Sequence, residues 1–220
     1  TFVNPSTLDN DILHDRPPLL LEGSFQMQFG SYPIAVMVVH NRSLNSIDTP
    51  RVRVKRLRQA ESIAMKVQAL QDADPDVRLV VTGDFNSFQF TDGYVDVTGI
   101  MQGNFDPVQS LVCESNDPCE SPVDPALMSQ ALVVPVDERY SFLFSGSAQV
   151  LDNALTSSGL DELLRDFQIG RGNADAAADS GASQPFSFHE HPHQFVSTQT
   201  GTGGQWDYQF LQQPLFVLGF

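Results

Sequence analysis

At 220 residues the chain can bury a sizeable core as one domain, and 41% hydrophobic content with 16 phenylalanines is ordinary for a globular fold. No apolar run approaches the length of a membrane span, which argues against a bilayer-crossing segment. A formal charge of −15 argues against broad electrostatic capture of nucleic acid, which rewards basic surfaces. It does not argue against a site that gathers divalent cations at acidic residues.

Residues 1–18 read as loop, with turn formers at Asn4-Pro5, Asp9-Asn10-Asp11 and Asp15-Arg16-Pro17-Pro18. No charged-then-apolar leader opens the chain, and Thr1 stands first, so a processed or excised piece is expected. A strand begins at Leu19. Phe25, Met27 and Phe29 alternate with Gln26 and Gln28, as in a half-buried strand. A turn over 30–33 and an apolar run over 34–39, ending at His40, complete an antiparallel hairpin.

The spacing of Leu57, Ala60, Ala64 and Val67, widened by Ile63 and Leu70, predicts a helix over 51–71. Arg51, Arg53, Lys55, Arg56 and Arg58 open it. A solvated helix face is the favoured reading of that basic run, over a phosphate-contacting one. Residues 77–82 form a β-branched apolar run, a buried strand that Gly83 is expected to break. Strand, helix crossover and strand define an α/β class.

Residues 91–130 read as irregular. Cys113 and Cys119 bracket a short polar loop that suits a disulfide clip, and such a pair in an acidic chain points to an oxidising, extracellular setting. Asn41-Arg42-Ser43 is a glycosylation sequon on paper. Residues 140–144 alternate as a strand, and a partner strand over 148–151 leads into Asp152. A short helix is expected over 160–167. Beyond Gly170 the composition turns small and acidic, and His189, His191 and His193 follow. A domain over 1–175 with a divergent, disordered tail over 176–220 is expected. The histidine cluster could bind a metal, although a flexible polar segment is the plainer reading.

The stretch Gly83-Asp84-Phe85-Asn86 carries the most chemistry. An acid and an amide two residues apart at a strand end address whatever lies beyond that end. An ionised Asp can hold a divalent cation or take a proton from water, and an Asn amide can donate to an oxyanion. The plainer alternative is a strand ending in an Asx turn. His40, Asp84, Asn86 and Asp152 share one placement, at or beyond a strand end, where ligands bind in layered α/β folds. Arg16, stiffened by Pro17-Pro18, is a further candidate.

Asp15-Arg16-Pro17-Pro18-Leu19, the His40-Asn41-Arg42-Ser43 strand end and Lys55-Arg56 with Gln59-Ala60 occur in that order. Gly83-Asp84-Phe85-Asn86, Thr91-Asp92-Gly93-Tyr94, and Tyr140-Ser141 with Leu151-Asp152-Asn153 follow. In this order the chain, over roughly residues 8–175, resembles the endonuclease/exonuclease/phosphatase superfamily, closest to secreted bacterial nucleases of the deoxyribonuclease I type. The resemblance implies a two-sheet α/β sandwich with flanking helices. It also implies phosphodiester hydrolysis dependent on Mg²⁺, or on Ca²⁺ or Mn²⁺ in its place, with nucleic acid the leading substrate.

By position, the resemblance makes His40 a general acid on the leaving oxygen. It has Asp84 and Asn86 orient water, metal and phosphate, and Asp152 brace a second histidine. Arg16 and Asn153 would lie near the substrate phosphate. The chain departs from the family in two places. No Glu-bearing motif precedes the Arg-Pro-Pro segment, and no closing Ser-Asp-His motif follows residue 160. Asn153 stands where close relatives often carry His. A domain incomplete at its N-terminus, with impaired activity, is therefore expected. A catalytically silent module of the same fold, and a phosphatase or phospholipase for a small phosphoester, are the alternatives.

Overall fold

The computed structural model describes residues 1–27, 30–105, 121–144, 147–164, 166–170 and 215–219. In chain order the strands are β1 (Phe2–Val3), β2 (Asn10–Asp11), β3 (Leu19–Met27), β4 (Gly30–His40), β5 (Leu79–Asp84), β6 (Met128–Ser129), β7 (Phe142–Phe144), β8 (Ser147–Gln149), β9 (Asp152–Thr156), β10 (Asp166–Gly170) and β11 (Leu215–Gly219). The helices are α1 (Pro50–Ala73), α2 (Val97–Gln102) and α3 (Ser158–Asp161). The fold is α/β, built on a five-stranded mixed sheet of order β3-β4-β5-β9-β6.

β3 and β4 form the expected antiparallel hairpin, but residues 30–33 are strand rather than turn. Residues 30–33 belong to β4, with Gly30 opposite Met27 and Pro33 opposite Ser24. Pro33 is tolerated there because β4 joins β5 only from Ala35 onward, so its missing N–H costs no bond to that neighbour. α1 then crosses over, and β5 pairs parallel to β4. β9 runs antiparallel to β5 on its other side.

Side-chain alternation splits the sheet into two faces. Met37, Val39, Leu79, Val81 and Leu155 point to one face, where they pack with Leu57, Ala60, Ile63, Ala64 and Val67 of α1 and with Ile100 and Met101 of α2. Small residues at 60 and 64 let the helix approach closely, and burying each of the larger aliphatic side chains is worth about 1.5–3 kcal/mol. On the other face Val134, Phe167 and Ile169 cover Ala154, so β10 lies over the β9 end of the sheet. β11 pairs with β10, which brings residues 215–219 of the expected tail onto the domain. Toward β3 this second face is open: Leu19, Leu21 and Val38 are 67%, 63% and 44% exposed.

Three further expectations are corrected. Residues 97–102 are helical rather than irregular, because Asp96 caps α2 by accepting from the Gly99 N–H and Gly103 closes it in a left-handed conformation. Residues 166–170 are strand rather than helix, with Phe167 and Ile169 facing the sheet. The basic run on α1 is not a solvated face: Lys55 and Arg56 are 1% exposed. Phe29, the Cys113–Cys119 pair and the histidines at 189, 191 and 193 lie outside the described residues.

Candidate active site

Three of the sequence candidates stand in one row across the sheet. In the register, His40 is opposite Asp84, and Asp84 is opposite Asp152. All three lie on the face away from α1, and directly opposed residues of this kind have Cβ atoms about 5 Å apart. The rows behind them on the same face are Val38-Thr82-Ala154 and Val36-Val80-Thr156. The polar row is therefore the edge of an otherwise largely apolar surface.

Asp152 reaches this row differently from the other two. It opens an antiparallel strand rather than following one, because residues 147–149 pair only with β7 and a new strand starts at 152. An antiparallel strand that begins where its parallel neighbours end still delivers its first residue to the same edge.

Gly83 does not break β5. It holds φ +128 within the strand and pairs with both Val39 and Asn153. A Cβ at this position would collide with the Val39 carbonyl oxygen, so only glycine lets β5 run this close to β4 and on to Asp84. The chain turns at Asn86, whose φ is +49 and whose backbone N–H donates to Asp84 Oδ1 at 2.9 Å. The Asx turn and the candidate site are thus one structure. The turn fixes the carboxylate, and Asn86 Nδ2 donates to the Asn41 carbonyl at 3.0 Å, which leaves the amide oxygen as an acceptor.

His40 has both ring nitrogens engaged. Arg16 Nη1 lies 2.8 Å from Nδ1, and Asp84 Oδ2 lies 3.3 Å from Nε2. A guanidinium only donates, so Nδ1 accepts and the ring proton sits on Nε2, facing Asp84. Burial pushes the His40 pKa down, and the Arg16 cation adds to this, while the Asp84 charge opposes both. Burial pushes the Asp84 carboxyl up, against the pull of His40, the Asn86 hydrogen bonds and Arg16. The carboxyl of Asp152 is raised to about 7, first by burial and then by the Asp84 charge, with a bond from Ser141 acting the other way. Ser141 is fully buried, and its oxygen accepts the N–H groups of Leu151 and Asp152. Its own proton is then left for the carboxylate.

Asn153 stands apart from this row. It is fully buried, alternation puts its side chain on the α1 face, and both its amide atoms lack a partner among the described residues. A contact to a phosphate from that position is not offered. The sequon Asn41 is 2% exposed and equally inaccessible to a glycan.

The basic run on α1 supports the site from beneath, which the sequence did not reveal. Lys55 Nζ holds both oxygens of Asp15, next to Arg16. Arg56 grips Asp92 through Nε and Nη2 and donates to the Arg42 carbonyl. Gln59 accepts the Arg42 N–H and donates to the Leu13 carbonyl. One helix face therefore ties down the segments carrying Arg16, His40 and Asn86. The signal was present as Lys55-Arg56 with Gln59, a polar triplet on the same turn pair as the apolar stripe.

No family model matches the chain, and no curated protein shows significant sequence similarity to it. Among solved structures it is similar to the crystal structure of truncated Caenorhabditis elegans TDP2, at 17% identity and a TM-score of 0.41. That match covers 69% of this chain and 49% of the other, so the chain spans about half the length of that structure.

Proposed function

We propose that this chain hydrolyses phosphodiesters with the help of a divalent cation, as a nuclease of the endonuclease/exonuclease/phosphatase type acting outside the cell. The observation that carries this reading is the row His40-Asp84-Asp152 with the Asn86 amide beside it. Two neighbouring carboxylates that burial holds above the ordinary range, with the Asp84 charge pushing Asp152 further up, form a natural seat for a hard cation.

Among the described residues no group of three or more His, Cys, Asp or Glu side chains gathers around one point. The protein's share is therefore small: Asp84, the amide oxygen of Asn86, and Asp152 alongside. That donor set fits Mg²⁺, which keeps several waters and takes the rest of its ligands from a phosphate. A cation bound there would polarise the phosphoryl oxygen.

The chain's own residues supply the remaining steps. His40 acts as general acid only as the imidazolium: once Arg16 turns from Nδ1 to the phosphate and the ring takes up a second proton there, it passes the Nε2 proton to the leaving oxygen and returns to the neutral ring. In the resting site Arg16 keeps the ring neutral and, being exposed, can offer its donors to a phosphate oxygen. Asn86 orients the incoming group. The extracellular setting is supported by the acidic composition and the Cys113–Cys119 spacing. Resistance of both thiols to alkylation in the native chain, until a reductant is added, checks it.

The direct test is turnover of bis(4-nitrophenyl) phosphate and of single-stranded DNA, with Mg²⁺ and with a chelator. Cation-dependent release is expected. Asp84→Asn and His40→Ala should each reduce it by about two to four decades while leaving the fold intact. Equal rates with and without the chelator, or near-full turnover in either variant, would overturn the reading.

A further inference from the structure

Two and four residues beyond Asn86 the loop presents aromatic rings. Phe88 and Phe90 stack with centroids 5.3 Å apart and planes 17° apart, and Phe90 is 62% exposed. A single exposed Phe is unremarkable on a protein surface. Here, however, the exposed ring is backed by a second ring, and the loop that carries both is fixed at each end.

At the near end the Ser87 hydroxyl meets the Thr98 hydroxyl at 2.7 Å in a buried contact with α2. At the far end Asp92 accepts the Tyr94 and Val95 N–H groups and is held by the buried Arg56. A loop anchored in this way loses little entropy when a ligand settles on it. Four residues of chain reach at most about 14 Å, so the rings stand within one or two nucleotide lengths of the Asp84-Asn86 turn.

The charge distribution gives these rings a purpose. The chain carries −15, and the basic run that a polyanion would seek is committed internally. Arg51 pairs with Asp11, Arg53 lies 3.5 Å over the Tyr94 ring, Lys55 holds Asp15, Arg56 holds Asp92 and Arg58 holds Glu61. Beyond the scissile phosphate that Arg16 can meet, a nucleic acid would then gain little from the α1 cations and would need a grip other than phosphate charge. Base stacking is the contact that works without it, at about 1–3 kcal/mol per base.

We propose that the Phe88–Phe90 pair is a platform for an unpaired nucleobase flanking the scissile phosphate. This rests on the phosphodiesterase reading above and narrows it to single-stranded or frayed nucleic acid.

The experiment compares an oligodeoxynucleotide bearing bases with an abasic strand of the same length and charge, in wild type, Phe90→Ala and Phe90→Trp. Bis(4-nitrophenyl) phosphate serves as a gauge of the chemistry alone. The platform predicts a preference of about 5- to 150-fold in kcat/KM for the base-bearing strand, the equivalent of one stacked base. That preference should collapse in Phe90→Ala and return in Phe90→Trp.

In parallel, a 2-aminopurine oligonucleotide is titrated into Asp84→Asn protein with and without Phe90→Ala. Quenching should depend on Phe90. Equal rates on base-bearing and abasic strands, or quenching indifferent to Phe90, would overturn the platform. Absence of turnover even on the small diester would instead overturn the hydrolytic reading, and the quenching titration would still decide the platform.

Discussion

His40 is held between a cation and an anion, and its ionisation records both. Removing Arg16 takes away a positive neighbour that pushes the imidazole pKa down. Arg16→Ala should therefore shift the His40 titration upward, read directly from its ring resonances by NMR. An unchanged midpoint would show that the Arg16–Nδ1 contact does not persist in solution. Asp152 gives a second, opposite signature. With a native pKa of about 7, the folded chain keeps a proton that an unfolded chain sheds near the ordinary carboxylate value. Stability should fall as pH rises through the interval between those two values, and the whole penalty should stand above pH 7. Asp152→Asn mimics the protonated form. In metal-free buffer its melting temperature should exceed that of wild type at pH 8, with the gap closing toward pH 4. His40, Asp84 and Asn86 were legible in the sequence because long apolar runs end at them. Asp152 was legible as a residue but not in its placement. Its strand is five residues long and opens with two polar ones, so neither period nor length marks where it starts.

At the scale of elements, α1 does two jobs with interleaved residues. Its apolar stripe seals the sheet, and its polar residues at 55, 56 and 59 clamp loops from three parts of the chain. The basic run was misread because its partners Asp11, Asp15 and Asp92 lie 36–40 residues away in sequence, beyond any local charge pattern. The Arg56–Asp92 pair is the most demanding of these contacts, with side chains 0% and 2% exposed. Arg56→Ala leaves a buried carboxylate without its counter-charge and should cost about 3–5 kcal/mol in urea unfolding. Asp92→Asn should cost a comparable amount: its amide oxygen can still accept the Tyr94 and Val95 N–H groups, but the buried Arg56 loses its counter-charge and faces an NH2 donor. A loss below about 1 kcal/mol in Arg56→Ala would mean that the pair is hydrated. The hairpin, the crossover helix and the parallel strand were all readable from periodicity. The strand character of residues 30–33 was not, because Gly30 and Pro33 serve as turn residues or as edge-strand residues depending on what lies beside them.

The whole molecule is an acidic body that would have to attract an acidic polymer, and this sets its response to salt. A basic nucleic-acid binder loses affinity as monovalent salt rises, because phosphate contacts release counterions. Here screening weakens a repulsion instead. Raising NaCl from about 50 to 200 mM at fixed Mg²⁺ should leave kcat/KM on single-stranded DNA level or raise it. A steep fall would place a cationic track somewhere on the surface. Finally, the proposed catalytic row is assembled from residues 40, 84 and 152, which strand pairing brings side by side. A slip of one residue between any two of these strands turns a side chain through the sheet to its opposite surface. Under the proposed hydrolytic reading no half-registered intermediate is active, and turnover becomes a yes-or-no reporter of zippered strands: in a denaturant titration, enzymatic rate and backbone ellipticity should disappear together at a single midpoint.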